Sequence, residues 1–136
     1  MTTTTLVKTP RTLVAAGTSN AAGATTRGVL DLRTALGGLL TVKITNGATG
    51  PTAQCGATVL AAHNAGATPT AAAAGADWKT IGQIAGGGTT ANAVTEQSYD
   101  VPQGMMHLEV EFSGNTGQAV TVEAYFSEIS NSSTVA

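Results

Sequence analysis

Three stretches of this chain alternate between apolar and polar side chains with a period of two, a pattern that admits β-strands and excludes amphipathic helices. Leu40, Val42 and Ile44 alternate with Thr41, Lys43 and Thr45. Met106, Leu108, Val110 and Phe112 alternate with His107, Glu109 and Glu111. Val120, Val122, Ala124 and Phe126 alternate with Thr121, Glu123 and Tyr125. Each stretch sends its large apolar side chains to one face of a strand. Weaker strand candidates occupy 11–16, 26–32, 54–60, 77–84 and 94–101. About eight short strands make a sandwich or a barrel.

No stretch carries a helical stripe. The segment 61–76 is Ala-rich and has helix-forming composition, but Gly66, Pro69 and Gly75 interrupt it and little in it would anchor a helix. It is expected as a long loop. Asn46-Gly-Ala-Thr-Gly-Pro51 and Ser113-Gly-Asn-Thr-Gly117 hold residues that tolerate positive φ or set turn geometry. Gly86-Gly-Gly88 is expected to end the strand that contains Trp78. No internal repeat or second domain is visible. One sandwich domain is expected over 11–130, with an extended arm at 1–10 and a flexible tail at 131–136.

Composition limits the core. Of 136 residues, 24 are Ala, 24 Thr and 17 Gly, whereas Val, Ile, Leu and Phe number 26. So few large apolar side chains would suggest disorder at high net charge, but the net charge is only −2. The core is thin for its length, and the Gly/Ala/Thr-rich connections invite a partner surface. No apolar run approaches the roughly 20 residues of a membrane-spanning helix. The start, Met1 to Pro10, lacks the charged and apolar regions of a secretory signal. A single cysteine excludes an internal disulfide framework and a multi-cysteine zinc site.

The charges are few and segregated. Residues 1–34 carry Lys8, Arg11, Arg27 and Arg33 against Asp31, a net of +3. Residues 94–136 carry Glu96, Asp100, Glu109, Glu111, Glu123 and Glu128 with no Lys or Arg, a net of −6. So little basic charge leaves no broad phosphate-binding footprint, and direct nucleic-acid binding is not expected. Two outcomes fit the asymmetry: the ends neutralise each other within a sheet, or a basic arm meets an acidic face on another molecule.

For chemistry, the best constellation is His107, Glu109 and Glu111 on one face of one strand. If 106–112 and 120–126 form a hairpin with Val110 facing Val122, Glu109 lies opposite Glu123 and His107 opposite Tyr125. Opposed carboxylates repel unless a cation, a proton or an Arg lies between them. Cupins place His and Glu metal ligands in such strands, yet His107-Leu-Glu109 supplies one His where that family has two, and His63 falls in the Ala-rich loop. No metal or other cofactor is expected, and the face is read as acidic and solvated or as receiving a neighbour's basic arm. Cys55 has no diagnostic base around it and is expected as a small buried hydrophobe. Gly86-Gly-Gly-Thr-Thr90 lacks the lysine of a phosphate-binding loop. Trp78 is expected in the core, although Trp78 and Tyr99 would suit stacking on a sugar or base.

A Thr-rich N-terminal arm, sparse charge, Ala/Gly/Thr-rich loops and alternating strands run from Leu6-Val-Lys-Thr-Pro10 through Glu123-Ala-Tyr-Phe126. In these features the chain resembles the jelly-roll head decoration, or cement, proteins of tailed bacteriophages. The resemblance implies an all-β, antiparallel, jelly-roll-like sandwich and a non-enzymatic virion protein. It implies binding to the major capsid protein on the outer surface of the head, bracing of the shell, and a homodimer. On that reading Lys8 and Arg11 of the arm, and Glu109, Glu111 and Glu123 of the acidic face, would meet partners. A tail or fibre component, a carbohydrate-binding sandwich and a cupin-like metal enzyme are the competing readings.

Overall fold

The computed structural model describes residues 2–64 and 77–135. The described residues contain eight strands: β1 (Thr2–Asn20), β2 (Thr26–Asp31), β3 (Gly38–Asn46), β4 (Gly56–Ala62), β5 (Trp78–Gly86), β6 (Val94–Val101), β7 (His107–Ser113) and β8 (Val120–Val135). Every strand candidate read from the alternation is present. Gly86 ends β5, as its glycine run predicts. His63 and Asn64 leave β4 without regular structure, and the rest of the Ala-rich connection, 65–76, lies outside the described residues.

The strands form two four-stranded antiparallel sheets, the first in the order β1-β8-β3-β6 and the second β2-β7-β4-β5. Pairing is nested: β1 with β8, β2 with β7, β3 with β6 and β4 with β5. This is the jelly roll, in which a folded-back chain wraps into two facing sheets.

Alternation places the core between them. Leu40, Val42 and Ile44 of β3 and Val120, Val122, Ala124 and Phe126 of β8 cluster with Ala57, Val59 and Ala61 of β4 and Leu108, Val110 and Phe112 of β7. Phe112 and Phe126 supply bulk while the alanines let the sheets approach, so few large side chains suffice. Cys55 belongs to this cluster. Trp78 is buried elsewhere, in a smaller cluster with Leu60 and Ala62 against Val29, on the outer side of the second sheet.

β1 is far longer than the 11–16 stretch its alternation predicts. Register shifts between Thr12 and Val14 and between Val14 and Thr18 bend it, with Gly17 at φ +79° in the second. Thr2–Pro10, read from sequence as an arm, pairs along Ser127–Val135, which includes most of the stretch read as a tail. β3 pairs with β8 only as far as Gly38 opposite Glu128. Ile129 still bonds the backbone of Leu36 and Gly37, and beyond it β1 and β8 continue as a two-stranded ribbon. Pro10 sits in β1, an edge strand, where a missing N–H costs no ladder bond to a further strand.

The hairpin considered between 106–112 and 120–126 does not form, because β7 and β8 lie in different sheets. Residues 114–119 arch from one sheet to the other. Gly114 at φ +101° and Gly117 at φ +80° turn the chain, and buried Asn115 holds the arch. Its amide nitrogen donates to the carbonyls of Asn20, Ala21 and Gln118, and its oxygen accepts from Asn20 Nδ2 at 2.6 Å. Turn composition alone cannot distinguish such an arch from a hairpin.

Candidate functional site

The two outer faces of the sandwich differ, and β7 shows how. His107, Glu109 and Glu111 do share its outer side, but His107 and Glu109 are fully buried and Glu111 is half-buried. Register sets Arg27 of β2 opposite Glu111, with Val29 opposite Glu109 and Asp31 opposite His107. The Arg27 guanidinium lies between the two carboxylates, donating from Nη1 to Glu111 Oε2 at 2.6 Å and to Glu109 Oε1 at 3.2 Å. An arginine thus separates the carboxylates of one strand, the role foreseen for a cation between opposed strands. Glu109 Oε2 has no hydrogen-bond partner among the described residues.

His107 Nε2 bonds the Asn64 carbonyl at 2.8 Å, so Nε2 carries the proton. Its Nδ1 is buried without a hydrogen-bond partner among the described residues, 3.9 Å from Asp31 Oδ1. The Asp31 carboxyl is held down at about 2, first by the side-chain hydrogen bonds of Arg33 and then by the Arg33 backbone N–H. On this face the buried polar groups lie beside the apolar cluster of Trp78, Leu60, Ala62 and Val29.

Glu123 belongs to the other sheet. It lies opposite Lys43 on the outer side, with Lys43 Nζ at 3.3 Å from Glu123 Oε1. Glu109, Glu111 and Glu123 therefore do not share one acidic face. The reason is the arch at 114–119, which sends β8 away from β7. Lys8 and Arg11 also part company. Arg11 has the core-side parity of Phe126 and pairs with Glu128 at 2.7 Å, at the open end of the sandwich. Lys8 has the outward parity of Ile129 and lines a groove of about 320 Å³ with Gly38, Leu39, Asp100, Ser127 and Ile129.

The outer face of the first sheet is open. Leu39, Tyr125 and Val94 are exposed there at 44%, 40% and 58%, beside a Thr41–Ser98 hydroxyl pair at 2.9 Å. Sequence reading passed over Leu39, Lys43 and Asp100. Their signal lay in the polar half of the alternation, which was read only as the side facing water.

Other candidates close off. Burial pushes the Cys55 thiol up to about 11, so it is protonated at neutral pH. Trp78 is buried and Tyr99 packs on the core, so neither ring is offered to a ligand. Among the described residues no group of three or more His, Cys, Asp and Glu side chains is placed to hold a metal ion.

No family model matches this chain, and no curated protein matches it by sequence. Solved structures do resemble it in fold. Particles of T=1 symmetry derived from infectious bursal virus superpose with a TM-score of 0.54 at 13% identity, over 92% of this chain and 31% of the viral chain. A xylan-binding domain of carbohydrate-binding family 22 gives 0.50 at 10% identity, over 90% and 86%. The prophage SPBc2-derived protein YomS gives 0.45 at 18% identity, over 90% and 95%. The chain thus spans about a third of the viral chain, and the likeness to the viral chain and to the xylan-binding domain is one of fold alone.

Proposed function

We propose that this chain is a non-enzymatic virion structural protein that binds the major capsid protein on the outside of a phage head and stabilises the shell. The observation that carries the reading is the β1/β8 ribbon. It runs past the end of β3, and Leu6 and Val7, whose side chains leave opposite faces of a strand, are 61% and 40% exposed. A two-stranded ribbon without a covered face is marginal in water and gains stability against a partner. The likeness of the whole sandwich to a viral particle chain supports the same reading.

The test is co-sedimentation of the purified protein with filled and emptied phage heads. Saturable binding at a fixed ratio to the shell protein is expected, and Leu6→Asp with Val7→Asp should weaken it at least tenfold while leaving the sandwich folded. Undiminished occupancy by that variant would remove the ribbon from the contact. Failure of the native protein to bind any shell would remove the reading. A carbohydrate-binding role has one observation in its favour, the exposed Tyr125 ring beside the Thr41 and Ser98 hydroxyls. Retention on a glycan array, lost in Tyr125→Ala, would select it.

A further inference from the structure

The groove lined by Lys8, Gly38, Leu39, Asp100, Ser127 and Ile129 opens on the outer side of the first sheet, where β3 begins and the β1/β8 ribbon leaves the sandwich. Register fixes its layout. Lys8 lies opposite Ile129, while Ser127, Leu39 and Asp100 lie side by side on β8, β3 and β6. A cation therefore stands at one end and an anion at the other, with Leu39 and Ile129 between them. Three strand spacings and two residues separate Lys8 from Asp100, about 14 Å across the strands and about 7 Å along them, or about 16 Å in all. Neither makes an ion pair or a side-chain hydrogen bond among the described residues.

An occupant that answers both charges and covers Leu39 must carry an acid, an apolar group and a base in that order. An extended chain meets this condition, because alternate side chains leave on one side. Its residues i, i+2 and i+4 span about 13 Å, and the Lys8 and Asp100 side chains lean into the groove to close the remainder. The volume of about 320 Å³ suits one apolar side chain and the backbone that flanks it. A nucleic acid would meet a single cation and be repelled by Asp100, and a sugar ring would find nothing to stack on, since none of the six residues is aromatic. We infer that this groove is the docking site for an extended segment of the shell protein that presents acidic, apolar and basic side chains on alternate residues. The inference rests on the shell-binding reading. Leu6, two residues beyond Lys8 with the same outward parity and 61% exposed, carries the apolar track from the groove onto the ribbon. The segment crosses the strands, so its side chains hold it, and the two charges fix its direction.

Titration of the full chain with the peptide acetyl-Ser-Glu-Ser-Leu-Ser-Lys-Ser-amide, up to about 5 mM and followed by amide NMR shifts, tests this. The amides of Leu39, Ser127 and Ile129 should move, and added salt should weaken the binding. Asp100→Lys should weaken it at least about tenfold and favour the peptide with Glu in place of Lys. Lys8→Glu should do the reverse, favouring the peptide with Lys in place of Glu. Both positions are exposed, circular dichroism reports that each variant is folded, and an exchange of preference does not follow from lost structure. Amides that stay in place, or reversals that leave the preference unchanged, overturn the inference. The same variants are then sedimented with phage heads, where each should bind at least about tenfold more weakly than the native chain. Native binding that neither reversal weakens overturns the inference and leaves the shell-binding reading standing. A native chain that binds no head overturns that reading, and the shell origin of the segment with it.

Discussion

At Arg27 one guanidinium, 23% exposed, serves a fully buried carboxylate and a half-buried one. Arg27→Leu would strand Glu109 in a dry site, and removing one partner of a buried pair costs about 3–5 kcal/mol. Adding Glu109→Leu should recover most of it, as chemical denaturation of the three variants would measure. Asp31 predicts a smaller effect of defined sign. Its folded pKa of about 2 lies below the 3.8 of an ordinary aspartate, so its contribution is present above pH 4 and lost as pH falls through 2. With a side chain 42% exposed, it is screened by water and contributes below about 1 kcal/mol. Asp31→Asn should lower stability slightly at pH 7, and the difference should shrink below pH 4 and vanish as pH falls below 2. Cys55 should resist alkylation at pH 8 until the protein unfolds, since its thiol is buried and pushed up to about 11. Of these residues Cys55 was legible in the sequence, because a cysteine without a base in an apolar strand has one common fate. The burial of Glu109 was not, because a carboxylate in the polar half of an alternation reads as solvated whatever later covers it.

At the scale of elements, the arch and the ribbon depart furthest from what local pattern predicts. Asn115→Ala removes a side chain that bonds three carbonyls and the Asn20 amide. Unsatisfied buried groups cost about 1–3 kcal/mol each, so the loss should reach about 2–4 kcal/mol in an unfolding titration. The ribbon should show the opposite behaviour. Residues of β8 from Val120 to Glu128 lie between two strands and Ile129 bonds the backbone of Leu36 and Gly37, whereas the strand beyond Ile129 pairs with β1 alone. Hydrogen exchange should therefore be much faster beyond residue 129 than before it, and binding to a partner should slow it. Equal protection along β8 would contradict the two-stranded account. The alternation of 120–126 was clear in the sequence, while the continuation through Ser130-Asn-Ser-Ser-Thr134 has no alternation to read. Its strand conformation comes from the β1 backbone beside it.

Across the whole molecule, the charge segregation along the chain finds its explanation in nested pairing. A jelly roll sets the first strand against the last and the second against the seventh, so a basic beginning lies beside an acidic end. Arg11 meets Glu128, Arg27 meets Glu109 and Glu111, and Lys43 meets Glu123. Of the two outcomes the asymmetry allowed, neutralisation within the molecule accounts for these three cations, and Lys8 is left with no ion-pair partner among the described residues. The same nesting makes most pairing non-local. Refolding from denaturant should accordingly be slow, on the millisecond-to-second scale of β-sandwiches or longer, and a microsecond main phase in stopped-flow or temperature-jump data would refute that.

The sequence by itself determined where the strands are and which side of each faces inward, because alternation is a local property carried by neighbouring side chains. It also set the thinness of the core and the opposition of charge between the two ends. Only the tertiary structure decided which strands pair, that 114–119 crosses between sheets, and that one outer face is closed over His107 and Glu109 while the other stays open. A period of two distinguishes the sides of a strand but carries no information about what lies beyond either side. Strand partners, and the water or protein over each face, are set by packing between segments as much as a hundred residues apart.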